Sequence, residues 1–66
     1  MKREMYTLEM IRREGQKETS EHMSESEAFL EAGRKLTQAS GAGFMMYKSA
    51  LCYKDNGITL WKIKVL

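Results

Sequence analysis

The sequence of 66 residues has a single cysteine, Cys52, a single histidine, His22, and no proline. One cysteine cannot close an intramolecular disulfide, and one cysteine with one histidine cannot supply the ligands of an ordinary zinc site. The sequence therefore predicts no structural metal and no cofactor. A domain this small without such cross-links often completes its core against another chain, which favours a homodimer or an obligate partner.

Long apolar segments are absent as well. The longest uninterrupted one runs from Ala42 to Tyr47, far short of the roughly 20 residues that a helix needs to cross a bilayer. Glu4 and Glu9 stand where the apolar part of a signal peptide would have to begin. We therefore expect a cytoplasmic protein that does not associate with a membrane.

The composition is that of a small folded domain. Apolar residues make up 42% of the chain and charged residues 30%, which is typical of folded, soluble proteins. The length allows one domain, residues 1–66, and no second one. The net charge of +2 is unevenly distributed, because residues 41–66 hold four lysines against one acidic residue, Asp55. The C-terminal part is thus the basic part.

The clearest predicted element is a helix from about Ser24 to Ser40. Ser24 followed three residues later by Glu27 is a capping box, in which hydroxyl and carboxylate satisfy amide groups that the first turn leaves unpaired. Gly41, just beyond the last periodic residue, is a typical C-terminal signal. Apolar residues at helical spacing predict one stripe that packs on a sheet; they are Phe29, Ala32, Gly33, Leu36 and Ala39.

The N-terminal segment predicts a strand and a turn. Tyr6, Leu8 and Met10 alternate within an extended run over about residues 4–13, which places these three side chains on one face. Glu14-Gly15 then predicts a turn. The polar run 16–22 predicts a short charged edge strand, with a loop as the alternative.

The C-terminal segment predicts a β-hairpin that turns at Asp55-Asn56-Gly57. A two-residue turn would place Leu51 opposite Lys62 and would mix polar with apolar side chains on both faces. A three-residue turn that ends at Gly57 instead places Leu51 opposite Trp61. This second register separates polar from apolar side chains better, and we expect it because the face pattern determines register.

The expected register divides the hairpin residues between two faces. The face toward the helix is predicted to hold Met45, Tyr47, Leu51, Tyr53, Trp61, Ile63 and Val65. The opposite face is predicted to hold Phe44, Met46, Lys48, Ala50, Cys52, Ile58, Leu60, Lys62 and Lys64. The fold class is therefore predicted as α+β: a small antiparallel sheet of three to four strands packed against one helix, in the order ββαββ.

One helix covers only one face of a sheet, so the opposite face must meet water or a partner. Four large apolar side chains on that face predict a protein interface. The predicted partner-binding residues are Phe44, Met46, Lys48, Ile58, Leu60, Lys62 and Lys64. Two other interpretations stay open: a register error would return some apolar residues to the core, and outward lysines also keep a sheet soluble.

A small nucleic-acid-binding domain is the alternative function. Basic side chains beside an aromatic residue can hold a single strand, and the residues available are Lys48, Lys62, Lys64, Arg12 and Arg13. A net charge of +2 with nine acidic side chains is modest for a phosphate binder. The sequence therefore favours a protein partner.

No catalytic residues are predicted. Nucleophilic catalysis would need Cys52 close to His22 with a third, orienting group. The expected register instead places Cys52 in the middle of a strand, opposite Leu60, where a lone thiol is usually a small packed apolar group. We therefore expect a protein that is not an enzyme.

The strand, the capped helix that begins Ser24-Glu25-Ser26-Glu27-Ala28-Phe29-Leu30, and the basic hairpin together resemble small inhibitors encoded by bacteriophages and mobile elements, of which the anti-CRISPR proteins are an example. The resemblance is one of size, element order and charge, and no single residue carries it. It implies a stoichiometric inhibitor, acting in the host cytoplasm, that binds a host protein or ribonucleoprotein complex and does no chemistry. Such an inhibitor could also contact nucleic acid or form a homodimer.

Overall fold

A computed structural model describes residues 5–54 and 57–65 of the chain. It contains four strands and two helices: β1 Tyr6–Arg12, β2 Lys17–His22, α1 Glu25–Gly41, α2 Gly43–Met46, β3 Tyr47–Lys54 and β4 Thr59–Lys64. The strands form one antiparallel sheet in the order β2-β1-β3-β4. The α+β class and the ββαββ order are confirmed, and residues 17–22 form the predicted edge strand.

Both hairpins use the same kind of turn, a three-residue loop that ends in glycine. Gly15 has φ 102° and Gly57 has φ 85°, values that glycine adopts without steric cost. The amide of Gly57 donates to the Lys54 carbonyl at 2.8 Å, and the Lys54 amide donates to the Ile58 carbonyl at 3.0 Å. The three-residue turn ending at Gly57 is confirmed, while residues 55 and 56 of that turn lie outside the described residues.

Helix α1 begins as predicted. The Ser24 hydroxyl accepts a hydrogen bond from the Glu27 amide at 3.1 Å, and Glu25 and Glu27 lie in the first turn, where the helix dipole favours negative charge. The buried stripe of α1 has fewer residues than the predicted one, because it consists only of Ala28, Ala32 and Leu36.

The C-terminal end of α1 is irregular. Gln38, Ala39 and Ser40 depart from helical geometry, and Ala39 and Ser40 have positive φ. Positive φ is unfavourable for residues with a Cβ atom. The predicted stripe residue Ala39 is exposed because the chain leaves the helix here.

Helix α2 was not predicted, because the sequence pattern placed Phe44, Met45 and Met46 in a strand. Gly43 is buried and Met46 is half-buried against the core. Met45, predicted to face α1, is 79% exposed, and Phe44 is also exposed. The short helix turns residues 43–46 away from the sheet, so their side chains do not alternate between the two faces of the sheet.

A β-bulge in β4 changes the register of the C-terminal hairpin. Next to the turn, Tyr53 pairs with Thr59, as the three-residue turn requires, but Cys52 pairs with Trp61, so Leu60 is an extra residue. From there on, Leu51 lies opposite Lys62, and the predicted pairing of Leu51 with Trp61 is wrong.

A second bulge lies between β1 and β3. Ile11 pairs with Ser49 and Arg12 with Tyr47, so Lys48 is the extra residue on β3. Each bulge shifts the alternation of side chains by one position. Tyr47 therefore lies on the side of the sheet that faces α1, and so do Ala50 and Cys52 further along the same strand.

The two bulges invert the predicted faces of β3 and leave those of β4 largely intact. Ala50 and Cys52, predicted to be outward, are fully buried beneath α1. Leu51 and Tyr53, predicted to face the helix, lie on the opposite face, which we call the open face. The structure confirms the predicted helix-side positions of four residues, Tyr47, Trp61, Ile63 and Val65. It also confirms the outward positions of Lys62 and Lys64.

The core lies between α1 and the three strands β2, β1 and β3. Its buried apolar side chains are Leu8, Met10, Ala28, Ala32, Leu36, Tyr47, Ala50 and Cys52. A helix with its side chains is about 10 Å wide, whereas the axes of the outer strands of a four-stranded sheet lie about 14 Å apart. Helix α1 therefore leaves the helix-facing side of the edge strand β4 partly uncovered.

Candidate functional site

The apolar residues of the predicted binding face do not lie together. Phe44 and Met46 are in α2, before the start of β3, and Ile58 follows the turn after the other end of β3. An eight-residue strand is about 25 Å long, so these residues lie at opposite ends of the sheet. Leu60, the bulge residue, is half-buried and packs against the core.

The predicted basic residues stand apart from these apolar side chains. Lys48 is the exposed bulge residue of β3, and Lys62 and Lys64 are exposed on the open face of β4. The open face as a whole is mixed in character rather than apolar; its residues include Thr7, Glu9, Ile11, Lys17, Thr19, Glu21, Leu51, Tyr53, Thr59, Lys62 and Lys64. The continuous apolar patch predicted for this face is therefore not there.

An apolar groove lies instead on the other side, between α1 and the edge strand β4. It has a volume of about 400 Å³ and is lined by Glu25, Ser26, Phe29, Leu30 and Trp61. We call it the α1–β4 groove. It exists because α1 does not reach across β4, and it runs along the first two turns of the helix.

Three large side chains form the walls of this groove. Phe29 is 56% and Leu30 is 66% exposed, an unusual exposure for two adjacent large apolar residues. Trp61 is half-buried, and its ring meets that of Phe29 edge to face, with centroids 5.5 Å apart and an interplanar angle of 82°. Trp61, predicted to face the helix, thus contacts Phe29 of the predicted helix stripe.

The polar edge of the Trp61 indole, unlike its ring, has no partner in the described part of the chain. Its Nε1 atom is enclosed and has no hydrogen-bond acceptor among the residues that the structure describes. A buried donor without a partner is unusual in a folded protein. The enclosed donor is not open to the groove, so the contribution of Trp61 to the groove is apolar.

Sequence reasoning missed Leu30 as a site residue, although the sequence contains a signal for it. Ala28, Ala32 and Leu36 repeat every four residues and face the core. Leu30 lies about half a turn from that stripe, and a large apolar residue off the buried stripe of an amphipathic helix is the kind of residue that contacts something else.

A second constellation lies at the other end of α1 and joins four elements. The Glu18 carboxylate on β2 accepts hydrogen bonds from the Tyr47 hydroxyl at 2.8 Å, from Arg12 at 3.0 Å and from Lys35 at 3.2 Å. The Arg12 guanidinium also lies 5.6 Å from the centroid of the Tyr47 ring. This Glu18 network ties the edge strand β2 to β1, β3 and α1.

The network shifts the pKa values of its members in opposite directions. The hydrogen bond from Tyr47 lowers the pKa of the Glu18 carboxyl, helped by Arg12 and Lys35 and opposed by desolvation. Burial, followed by the hydrogen bond to Glu18 and the negative charge of that carboxylate, raises the pKa of the Tyr47 hydroxyl. The charged carboxylate and the neutral phenol are the forms that the fold stabilises.

The Glu18→Gln variant is expected to be less stable than the wild-type protein at pH 7, by about 1 to 2 kcal/mol, because charge-assisted hydrogen bonds are lost at a partly exposed site. Since the folded-state pKa of Glu18 is lowered, its contribution is present above the unfolded-state pKa and is lost as pH falls through the folded one. Urea unfolding between pH 7 and pH 3 should therefore show a smaller stability loss in Glu18→Gln than in the wild type.

Glu21→Gln is the matched control, because Glu21 lies on the same strand and is exposed on the open face. This variant should follow the wild-type pH dependence. If Glu18→Gln and Glu21→Gln behave alike, the Glu18 network does not hold β2 in place.

Cys52 and His22 are not brought together. Cys52 is on β3 beneath α1, whereas His22 is on β2, with β1 between them. Burial, together with the nearby charge of Glu25, raises the pKa of the Cys52 thiol, the opposite of what a nucleophile needs. The His22 ring nitrogen Nε2 lies 2.9 Å from the Ser20 hydroxyl.

The described residues offer neither a metal site nor a membrane-spanning helix. Over residues 5–54 and 57–65 there is no group of three or more His, Cys, Asp or Glu side chains that could hold a metal ion, and no helix in these ranges is long and apolar enough to span a membrane. Comparisons of the chain with protein-family models, with curated proteins and with solved structures find no match.

Proposed function

We propose that this protein is a non-enzymatic protein-binding module and that the α1–β4 groove is its recognition surface. The observation that supports this most strongly is the exposure of Phe29 and Leu30 beside the half-buried Trp61. Contiguous exposed apolar side chains mark interaction sites, and tryptophan is among the residues that contribute most to binding energy. The groove supplies such a cluster on a rigid helix and strand.

This proposal moves the recognition surface from the open face of the sheet to the helix side. Of the residues predicted to bind a partner, Lys62 and Lys64 keep a role, because they lie on β4, the strand that borders the groove, although their side chains are on the open face. The inhibition of a host complex, which the resemblance to anti-CRISPR proteins implies, is one activity that such a module would have, and it stays a prediction.

The proposed function is tested by two leucine substitutions of the same kind. Leu30→Asp places a charge in the groove at an exposed helix position, and Leu51→Asp places one on the open face. We expect the wild-type protein and Leu51→Asp to capture the same protein from an extract of the source cell, and Leu30→Asp to lose it, with affinity reduced at least about thirtyfold. Circular dichroism should verify that both variants are folded.

Equal capture by Leu30→Asp and the wild type would refute the groove as the recognition surface. Nuclease treatment of the extract should leave capture unchanged, because the groove contact is between proteins.

Nucleic-acid binding is the second candidate, and the open face offers one observation in its favour. Tyr53 lies on that face on β3, next to the strand that carries Lys62 and Lys64, and an aromatic residue beside basic ones can hold a single strand. Arg12 and Arg13 contribute less than the sequence suggested, since Arg12 binds Glu18 and the Arg13 guanidinium donates to the Phe44 carbonyl at 2.8 Å. Capture that nuclease abolishes and that Leu30→Asp retains would favour this candidate.

A further inference from the structure

Strand β4 is an edge of the sheet, and half of its backbone hydrogen-bonding groups point outward. The Val65 amide donates to the Lys48 carbonyl at 2.9 Å, and β4 pairs with β3 on that side only. Hydrogen-bonded positions alternate along an antiparallel strand. The amides and carbonyls of Lys62 and Lys64 therefore point away from β3, in the orientation that an added strand would need.

The side chains of β4 alternate between two different surroundings. Trp61 and Ile63 lie on the helix side, beside the α1–β4 groove, whereas Lys62 and Lys64 lie on the open face. A strand that pairs with β4 must alternate in the same way. Every second side chain of such a strand would enter the groove, and those between would meet the lysines.

The charged residues near β4 determine which side chains an added strand needs on each face. Lys62 and Lys64 present two positive charges, two residues apart, on the open face. Glu25 lines the end of the groove, and Glu27 is in the same helix turn, so negative charge is unfavourable on the helix side. A complementary strand thus has acidic residues toward the open face and apolar residues toward the groove.

The same charges disfavour a second copy of this chain as the occupant. Antiparallel pairing of β4 with another β4 would bring the lysines of the two copies opposite each other, and like charges directly opposite are destabilising. The edge strand β2 is not an equivalent site, because Glu18 is held in its network and Lys17 and Glu21 place opposite charges along it.

We infer that the α1–β4 groove binds an extended, acidic segment of another protein, which adds to the sheet as a fifth strand antiparallel or parallel to β4. The segment has the pattern acidic–apolar–acidic, with the central apolar side chain seated against Phe29, Leu30 and Trp61. This inference rests on the proposed function and specifies its partner. Backbone pairing provides affinity and the alternate side chains provide specificity, as in other cases of strand addition.

The test is a selection of peptides from a displayed library of random ten-residue sequences against the immobilised wild-type protein. We expect the selected peptides to share Asp or Glu at positions i and i+2 around an apolar residue at i+1. Leu30→Asp should weaken a selected peptide at least about thirtyfold. Charge reversal in the double variant Lys62→Glu/Lys64→Glu should weaken it roughly tenfold, whereas the matched control Lys48→Glu/Lys17→Glu should change affinity less than about twofold.

Hydrogen exchange of the complex then distinguishes strand addition from other binding. The outward amides of Lys62 and Lys64 should become protected when the peptide binds, since a paired strand accepts hydrogen bonds from them. Selected peptides that need Leu30 but have helical spacing of apolar residues, or that leave both amides unprotected, would overturn the inference and leave the proposed function standing.

Two further results would also overturn the inference, and the first of them would overturn the proposed function as well. Peptides that bind Leu30→Asp as tightly as the wild type would overturn both the inference and the proposed function. A dimer in sedimentation that dissociates on Leu30→Asp substitution would show that a second copy occupies the groove, and the inference would be wrong.

Discussion

An Ala50→Lys variant should not fold, whereas Leu51→Lys should fold with little loss of stability. Ala50 is fully buried beneath α1 and next to Met10, so a lysine there has neither room nor a partner for its charge. The expected cost is about 4 kcal/mol or more, which is most of the stability available to a domain of this size. Leu51 lies on the open face between Glu9 and Lys62, and a lysine there should cost less than about 1 kcal/mol.

The two variants add the same side chain at neighbouring positions, so their net charges are equal. Far-ultraviolet circular dichroism and urea unfolding measure the outcome. The opposite result, a folded Ala50→Lys and an unfolded Leu51→Lys, would restore the face pattern expected from simple alternation and would contradict both bulges.

The Gly43→Ala variant is expected to lose roughly 2 to 4 kcal/mol of unfolding free energy. Gly43 begins α2 where the chain passes against α1, and a Cβ atom at this position would overlap the carbonyl oxygens of Lys35 and Leu36. These are backbone atoms in a helix, so they cannot move aside as a flexible side chain would. Relief would require α2 to shift away from α1.

Gly33→Ala is the matched control, because Gly33 is inside α1 and a Cβ atom there meets nothing within 4 Å. This substitution should stabilise the protein by about 0.5 to 1 kcal/mol, since alanine loses less conformational entropy in a helix than glycine does. Denaturant unfolding of both variants measures the contrast. Equal stability of Gly43→Ala and the wild type would mean that α2 does not pack against α1 as described.

The parts of the fold that local chemistry determines could be predicted. The Ser24 cap, the start of α1 and the glycine turn at Gly57 each depend on residues within a few positions of one another. The alternation of Leu8 and Met10 was also sufficient for β1, because both are buried. These elements account for the confirmed ββαββ order.

The faces of β3 could not be predicted, because they depend on two bulges at Lys48 and Leu60. A bulge leaves no strong local signal, and each one reverses which residues of a strand face the core. The sequence does contain one indication that Ala50 faces the helix. Ala28, Ala32 and Ala50 have small side chains, and all three are fully buried. Small residues on both surfaces allow a helix to approach a sheet closely, and larger residues such as Leu51 fit less well between them.

The α1–β4 groove was not anticipated for a related reason. One helix was expected to cover one face of the sheet, which left only the opposite face to meet water or a partner. Helix α1 covers three strands and leaves the helix side of β4 open beside Phe29 and Leu30. The width of a helix relative to a four-stranded sheet makes such a gap a general expectation.

The most direct test of the central claim, that recognition uses the α1–β4 groove, is acrylamide quenching of tryptophan fluorescence. Trp61 is the only tryptophan in the chain and lines the groove, so the signal reports on this site alone. We predict that a bound partner segment lowers the quenching constant at least about twofold and shifts the emission to shorter wavelength, because the indole loses contact with water. Binding that leaves both the quenching constant and the emission of Trp61 unchanged would contradict the claim.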